Sequence, residues 1–293
     1  YRFNYKYSIM KKIGLLIQYS KSIFTNGCLQ QGYFLLKCFR NKGYEANFIT
    51  VEKEFTKFEV INEDIHRIVS TEDLDQYSLI VFSSGSITND SYLSYCKAKG
   101  IKIANSCVGN YYIINQEEIV FDAHKKNEVI KRMFNIYVDQ IWLMPMYTHN
   151  LNYTKYISKV DTKISPYVWD STIIDLYNIQ NNINTKYNPL SEKLDIVIME
   201  PNISIHKTSL VPLLIAEEFY SRNPDKLGQI YLISSPDDID QKLSHLNIFK
   251  NLRVQKLDRI KSMEFYSILN NMNSKYVVLS SNIRNGLNFL HLE

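Results

Sequence analysis

The run Leu194-Asp-Ile-Val-Ile-Met-Glu-Pro-Asn-Ile-Ser-Ile-His-Lys-Thr-Ser-Leu-Val-Pro-Leu-Leu214 sets one lysine between an apolar strand and the first turn of a helix. The strand reads from Leu194 to Met199. The loop carries Asn202, Ser204 and Lys207, and the helix opens at Thr208 or Ser209. The first N–H groups of a helix lack partners within it and lie at the positive end of its dipole. With an ammonium group beside them they suit a di-anion such as a pyrophosphate. In an open α/β sheet, ligands gather beyond the carboxyl ends of the strands, where helices begin. A lysine merely solvated at a helix start is the plainer account, but the dipole disfavours a cation there. The misfit favours a bound anion.

Other patterns are weaker. Asn26-Gly27 follows the first apolar run, at the carboxyl edge of a first sheet; it serves equally as a helix cap with a glycine turn. Gly286, between Asn285 and Leu287, permits close approach of backbone to a phosphate. Asp73-Leu-Asp75 and Asp238-Ile-Asp240 have the spacing of carboxylates that hold a divalent metal, yet both sit where helix or turn capping explains them. No metal site and no cofactor are therefore expected. The six histidines form no ligand array, although His206 neighbours Lys207. Asp122, His124 and Asp139 are candidates for a general base, with no spacing that singles one out. Dinucleotide-binding, P-loop and hydrolase-elbow motifs are missing from the sequence.

A chain of 293 residues, 45% hydrophobic and 22% charged, has room for two α/β domains. Its net charge of +4 comes from scattered residues, which gives no footprint for nucleic acid. Cys28, Cys38, Cys96 and Cys107 lie too far apart for a zinc knuckle, so reduced, mostly buried thiols in a cytoplasmic protein are expected. No apolar run is long enough to span a membrane, and the first residues lack an apolar signal core. Residues 1–9 read as an extension before Met10.

Apolar runs alternate with helical periods, the signature of βαβ units on parallel sheets. Strands are expected at Lys12 to Gln18, Ala46 to Val51, Ser78 to Ser83, Ile101 to Ala104 and Gln140 to Met144. A helix through Leu29, Tyr33, Leu36 and Arg40 should close at Gly43, and another from Asn89 to Lys99 should close at Gly100. Ser84-Gly-Ser86 adds small residues after the third strand. The first domain thus covers residues 10–169, a polar, Asn-rich linker 170–193, and a second domain 194–293. The latter shows three strands, Leu194 to Met199, Gln229 to Ile233 and Lys275 to Leu279, with helices near Leu210 to Arg222 and Ser262 to Met272. Three strands are few for a sheet covered on both faces, so the second domain reads as incomplete.

Met199-Glu-Pro-Asn-Ile-Ser-Ile-His-Lys-Thr208, with Pro212 and Glu217-Glu218, resembles a signature of the domain-of-unknown-function 2827 family. Asn285-Gly-Leu-Asn-Phe-Leu-His-Leu-Glu293 resembles its second signature. Fainter echoes run in order through Asn26-Gly27 with Gln30, Gly109 with Tyr111, Phe134-Asn135, Asp139 with Trp142 and Pro145, and Pro166-Tyr-Val-Trp169. That family looks like glycosyltransferases of the GT-B type, with two Rossmann-like domains facing a cleft. The resemblance implies a metal-independent transferase whose second domain binds a nucleotide-diphosphate sugar and whose first takes a glycan, lipid or protein acceptor. Donor contacts would fall to Asn26, Gly27, Asn202, Ser204, Lys207, Thr208, Asn285, Gly286, Leu287 and Glu293. Glu293 matches the later acid of a Glu-x7-Glu pair that holds ribose hydroxyls, whereas the earlier position is Asn285, an amide. The family pattern continues past Glu293. A second copy of the chain is a further expected partner, at the unfinished sheet edge. The rival reading is a non-catalytic nucleotide- or glycan-binding remnant of such an enzyme.

Overall fold

A computed structural model describes residues 12–17, 23, 27–53, 63–83, 90–107, 109–110, 112–113, 115–116, 120, 136–166, 168, 170–182, 187–199, 210–233, 241, 243–251, 254–257 and 268–279. The chain divides into two compact units, Tyr1–Leu176 and Tyr177–Glu293.

In the first unit seven parallel strands form one sheet in the order β3-β2-β1-β4-β5-β6-β7. They are β1 (Lys12–Leu16), β2 (Ala46–Thr50), β3 (Ile65–Arg67), β4 (Tyr77–Phe82), β5 (Lys102–Cys107), β6 (Gln140–Leu143) and β7 (Asp161–Ile164). Central strands lie between helices on both faces and so read as unbroken apolar runs. Leu15, Phe48, Ile80 and Val81 have no exposed surface. Burying each side chain of this kind contributes about 1.5–3 kcal/mol. Helix α1 (Gly27–Asn41) places Leu29 and Leu36 against the sheet. It ends just before the expected glycine. Gly43 has φ 84°, its N–H reaches the Arg40 carbonyl at 2.9 Å, and the Tyr44 N–H reaches that of Phe39 at 3.1 Å. Phe39 and Tyr44 meet ring edge to face, which completes the left-handed helix stop. Gly100, φ 69°, ends α2 (Asp90–Lys99) in the same manner.

The edges hold what periodicity did not reveal. β3 has three residues, and β7 is Asp-Thr-Lys-Ile, of which only Thr162 is buried. Between β6 and β7 stand a 3-10 turn (Pro145–Asn150) and α3 (Leu151–Ser158). The stretch expected as linker holds α4 (Thr172–Gln180), whose Ile173 and Tyr177 are buried.

The second unit has four parallel strands in the order β10-β9-β8-β11: β8 (Ser191–Met199), β9 (Leu227–Ile233), β10 (Val254–Leu257) and β11 (Ser274–Leu279). β10, absent from the sequence reading, is the polar edge Val-Gln-Lys-Leu. Helix α5 (Leu210–Arg222) runs where expected and buries Pro212, Leu213 and Ala216. Pro212 is harmless there, since first-turn N–H groups have no helical acceptor. A short helix, α6 (Asn247–Lys250), precedes β10. Alternation along β8 sends Ile196 and Ile198 to the core under α5 and Val197 to a second core with Ile233, Leu269 and Met272. Of the helix expected over Ser262 to Met272, residues 268–270 are helical and 261–267 lie outside the described residues.

Candidate functional site

Strand order fixes where each sheet opens. From β1 the chain winds outward through β2 to β3, then crosses back to β4 on the other side of β1. Connections leaving neighbouring strands in opposite directions part at their carboxyl ends and leave a crevice. In the first unit that crevice lies beyond β1 and β4. Ile17 follows β1, and the Ser83 N–H bonds to the Leu16 carbonyl at 3.1 Å. Gly27 opens α1, and Gln30 donates Nε2–H to the Ile23 carbonyl at 2.8 Å. Gly32 lets the helix approach so closely that a β-carbon there would stand 2.8 Å from Ser83 Oγ. Ser83 Oγ and Gln31 Oε1 are buried and have no hydrogen-bond partner among the described residues. Burying such atoms unpaired is costly, and functional crevices are where that cost recurs. Ser83 escaped the sequence reading, although the small residues after it were a signal.

A polar set continues along the same edge. Asn110, beyond β5, accepts at Oδ1 the Nδ2–H of Asn150 at 2.7 Å and the Ile113 N–H at 3.2 Å. Both asparagines are buried, as is Asn115. Tyr112 and Tyr153 meet edge to face with centroids 4.8 Å apart. Burial pushes the Tyr153 phenol up, while a hydrogen bond with Gln116 opposes the shift. Amides and neutral phenols at a sheet edge can exchange hydrogen bonds with hydroxyls. Asn110 and Asn150 went unnoticed because asparagine is scattered throughout this chain and carries little signal.

In the second unit the crevice lies beyond β8 and β11, since β9 and β10 occupy one side of β8 and β11 the other. Leu279, the last residue of β11, pairs with Ile198, next to the end of β8. Met199 ends β8 and Leu210 begins α5, so the sequence bearing Lys207 runs between a strand end and a helix start. Asn26, Asn202, Ser204, Lys207, Thr208, Asn285, Gly286, Leu287 and Glu293 themselves lie outside the described residues. Gly27 alone of the expected donor contacts is described, as the first residue of α1. The Glu217-Glu218 pair is structural. Glu217 accepts the Asn247 and Ile248 N–H groups at 3.0 and 2.9 Å, capping α6. Glu218 pairs with Arg222 one turn on.

The candidate bases fare differently. Asp139 precedes β6, at the amino end of the first sheet, where Oδ2 accepts the Ile103 N–H at 3.0 Å and Oδ1 meets Lys102 at 2.9 Å. That is the wrong end of the sheet for a base in the crevice. Asp122 and His124 lie outside the described residues. Asp73 accepts the Val69 and Ser70 N–H groups, whose hydrogen bonds hold its carboxyl below the usual range. Asp75 instead accepts the Tyr95 hydroxyl. Asp238 and Asp240 lie outside the described residues. Among the described residues no three His, Cys, Asp or Glu side chains are grouped to hold a metal. None of the four cysteines is in a disulfide. Cys96 is buried and desolvated to a pKa of about 11, whereas Cys28, Cys38 and Cys107 are only partly covered. Trp142 donates its indole N–H to Gln140 at 2.6 Å and packs near Phe39; Trp169 lies outside the described residues. Among the described residues no helix is long and apolar enough to cross a membrane.

Residues 13–293 match the model of a protein family described as "Protein of unknown function (DUF2827)". No curated protein matches the chain in sequence. Solved structures do match in fold. The pneumococcal O-GlcNAc transferase GtfA, in complex with UDP and GlcNAc, superposes with a TM-score of 0.57 at 7% identity, over 96% of this chain and 81% of its own. The lipopolysaccharide outer core galactosyltransferase WaaB gives 0.53 at 11% identity, over 92% and 74%. The α,α-trehalose 6-phosphate synthase of Burkholderia multivorans gives 0.51 at 10% identity, over 96% and 80%. The two α/β units therefore have the fold of GT-B glycosyltransferases.

Proposed function

This chain belongs to the DUF2827 family, and from its fold and strand order we propose that it transfers a sugar from a nucleotide-diphosphate donor to an acceptor hydroxyl. The observation that carries the reading is that β8 ends at Met199, beside the switch point of the second sheet, and α5 begins at Leu210, with Lys207 in the sequence that joins them. Cleaving a nucleotide sugar at its anomeric carbon leaves a diphosphate whose charge grows as the bond breaks. An ammonium and helix-start N–H groups would stabilise that charge without a metal. Asn285 and Glu293, in the segment after β11, would take the nucleoside and sugar hydroxyls, with Gly286 and Leu287 offering backbone N–H groups.

We assign the acceptor to the carboxyl edge of the first sheet. Ser83, Asn110 and Asn150 are short polar side chains fixed beside the strand ends, suited to orienting a hydroxyl nucleophile. The fold relative crystallised with UDP makes uridine diphosphate the first nucleotide to try.

A thermal-shift series with UDP-, GDP-, dTDP- and CMP-sugars, each with manganese or a chelator, tests the proposal. At least one nucleotide-diphosphate sugar should raise the melting midpoint equally in both conditions. A flat response to every donor would overturn it, and a response only with manganese would overturn its metal-independent form.

A further inference from the structure

The second sheet also opens at its amino end. There a groove of about 440 Å³ is lined by Lys193, Asp195, Gln229, Tyr231, Asn271 and Asn273. We propose that this groove binds a neutral saccharide unit, at the opposite end of the sheet from the carboxyl ends of its strands.

Its size falls in the roughly 300–1,000 Å³ range of small-molecule sites. One cation and one anion among the lining side chains cancel, so the groove has no excess charge to hold a phosphate or a carboxylate. The other polar side chains of the lining are three amides and the hydroxyls of Tyr231 and Ser274, groups whose oxygens and hydrogen-bond donors match the vicinal hydroxyls of a sugar ring. Ile268, Met272 and the Tyr231 ring add an apolar part, which suits the C–H face of a pyranose.

The polar part is built rigidly. Asp195 is 4% exposed, and Oδ1 is held by the Gln229 N–H at 2.7 Å. The Asn273 carbonyl accepts the Leu190 and Ser191 N–H groups, each at 2.8 Å, which fixes the backbone on the other side. Burial, aided by the Asp195 charge, pushes the Tyr231 phenol up and keeps it a neutral donor. Asp195 precedes Met199 by four residues, about 13 Å of strand, so the groove lies well short of the carboxyl end of β8.

Saturation-transfer NMR on the full chain with methyl glucoside, galactoside, mannoside and N-acetylglucosaminide, with and without excess UDP, tests this. At least one glycoside should receive saturation, and UDP should leave the signal unchanged. Asn273→Ala, at an exposed side chain, should weaken it about fivefold, the loss of one hydrogen bond. Tyr231→Leu should weaken it as well, with folding checked by the melting midpoint. No transfer from any glycoside, transfer displaced by UDP, or transfer undiminished in folded Asn273→Ala would each overturn the proposal.

Discussion

Asp195 fills the space that a β-carbon on Gly228 would need: that carbon would lie 2.1 Å from Oδ1, the oxygen that accepts the Gln229 N–H at 2.7 Å. The cause is a change of register. Leu194 pairs with Leu227 but Ile196 pairs with Ile230, so β9 carries an extra residue. A bulge turns one N–H out of the ladder, and a buried N–H needs an acceptor. The carboxylate supplies it, and glycine makes room.

Gly228→Ala should therefore destabilise the protein by about 2–3 kcal/mol, through overpacking and the displaced charge-assisted hydrogen bond. Asp195→Ala relieves the crowding but leaves the N–H unpaired. The double variant should lose less than the sum of the two single losses. Urea denaturation of all four proteins checks the coupling; strict additivity would show that the two positions act independently.

Lys37, on α1, pairs with Asp170, whose carboxylate also accepts the Thr172 N–H at 2.8 Å. Partial burial works to raise the Asp170 pKa, but the Lys37 and Thr172 hydrogen bonds prevail and hold it at about 2. A depressed carboxyl contributes its stability above its unfolded pKa, about 3.9, and loses it as pH falls through the folded value. Asp170→Asn should cost about 1–2 kcal/mol at pH 7. The gap from the native protein should hold down to pH 4 and close between about pH 4 and 2. Denaturant midpoints across that range would show it, and a gap constant with pH would reject the ion pair as its source.

Ser83 Oγ offers a test in which stability and activity part company. A buried hydroxyl without a partner among the described residues adds nothing to their packing, so Ser83→Ala should leave stability unchanged or raise it by up to about 1 kcal/mol. If the hydroxyl serves a ligand, the same change should slow sugar transfer about tenfold. Paired measurements of melting midpoint and turnover decide it. A destabilised Ser83→Ala would mean a partner within the fold.

The first sheet was readable wherever apolar runs ended in a strong stop. Gly43 and Gly100 close α1 and α2 because only the left-handed backbone lets the last carbonyls find partners. β3, β7 and β10 were not readable: each is a short edge with polar residues, and its pairing depends on a neighbour distant in sequence. The same division runs through the candidate site. Lys207 declares itself by standing between a strand and a helix, whereas Asn110 and Asn150 become a pair only when strand ends bring them together. Asp139 borders β6 at its amino end, and sequence proximity to a strand does not say which end.

Lys207 itself yields the most direct prediction. If its ammonium meets the donor diphosphate, Lys207→Ala removes one charge-assisted contact, worth about 1.5–3 kcal/mol, or roughly tenfold to a hundredfold in Kd for UDP. Lys207→Arg keeps the charge but changes the donor geometry, so it should recover part of the affinity. Because the contact strengthens as the leaving group gains charge, kcat should fall further in Lys207→Ala than ground-state binding does. Calorimetric titration with UDP, beside turnover of the preferred donor, separates the two effects. Equal UDP affinity in the native protein and in folded Lys207→Ala would remove the lysine from the donor site.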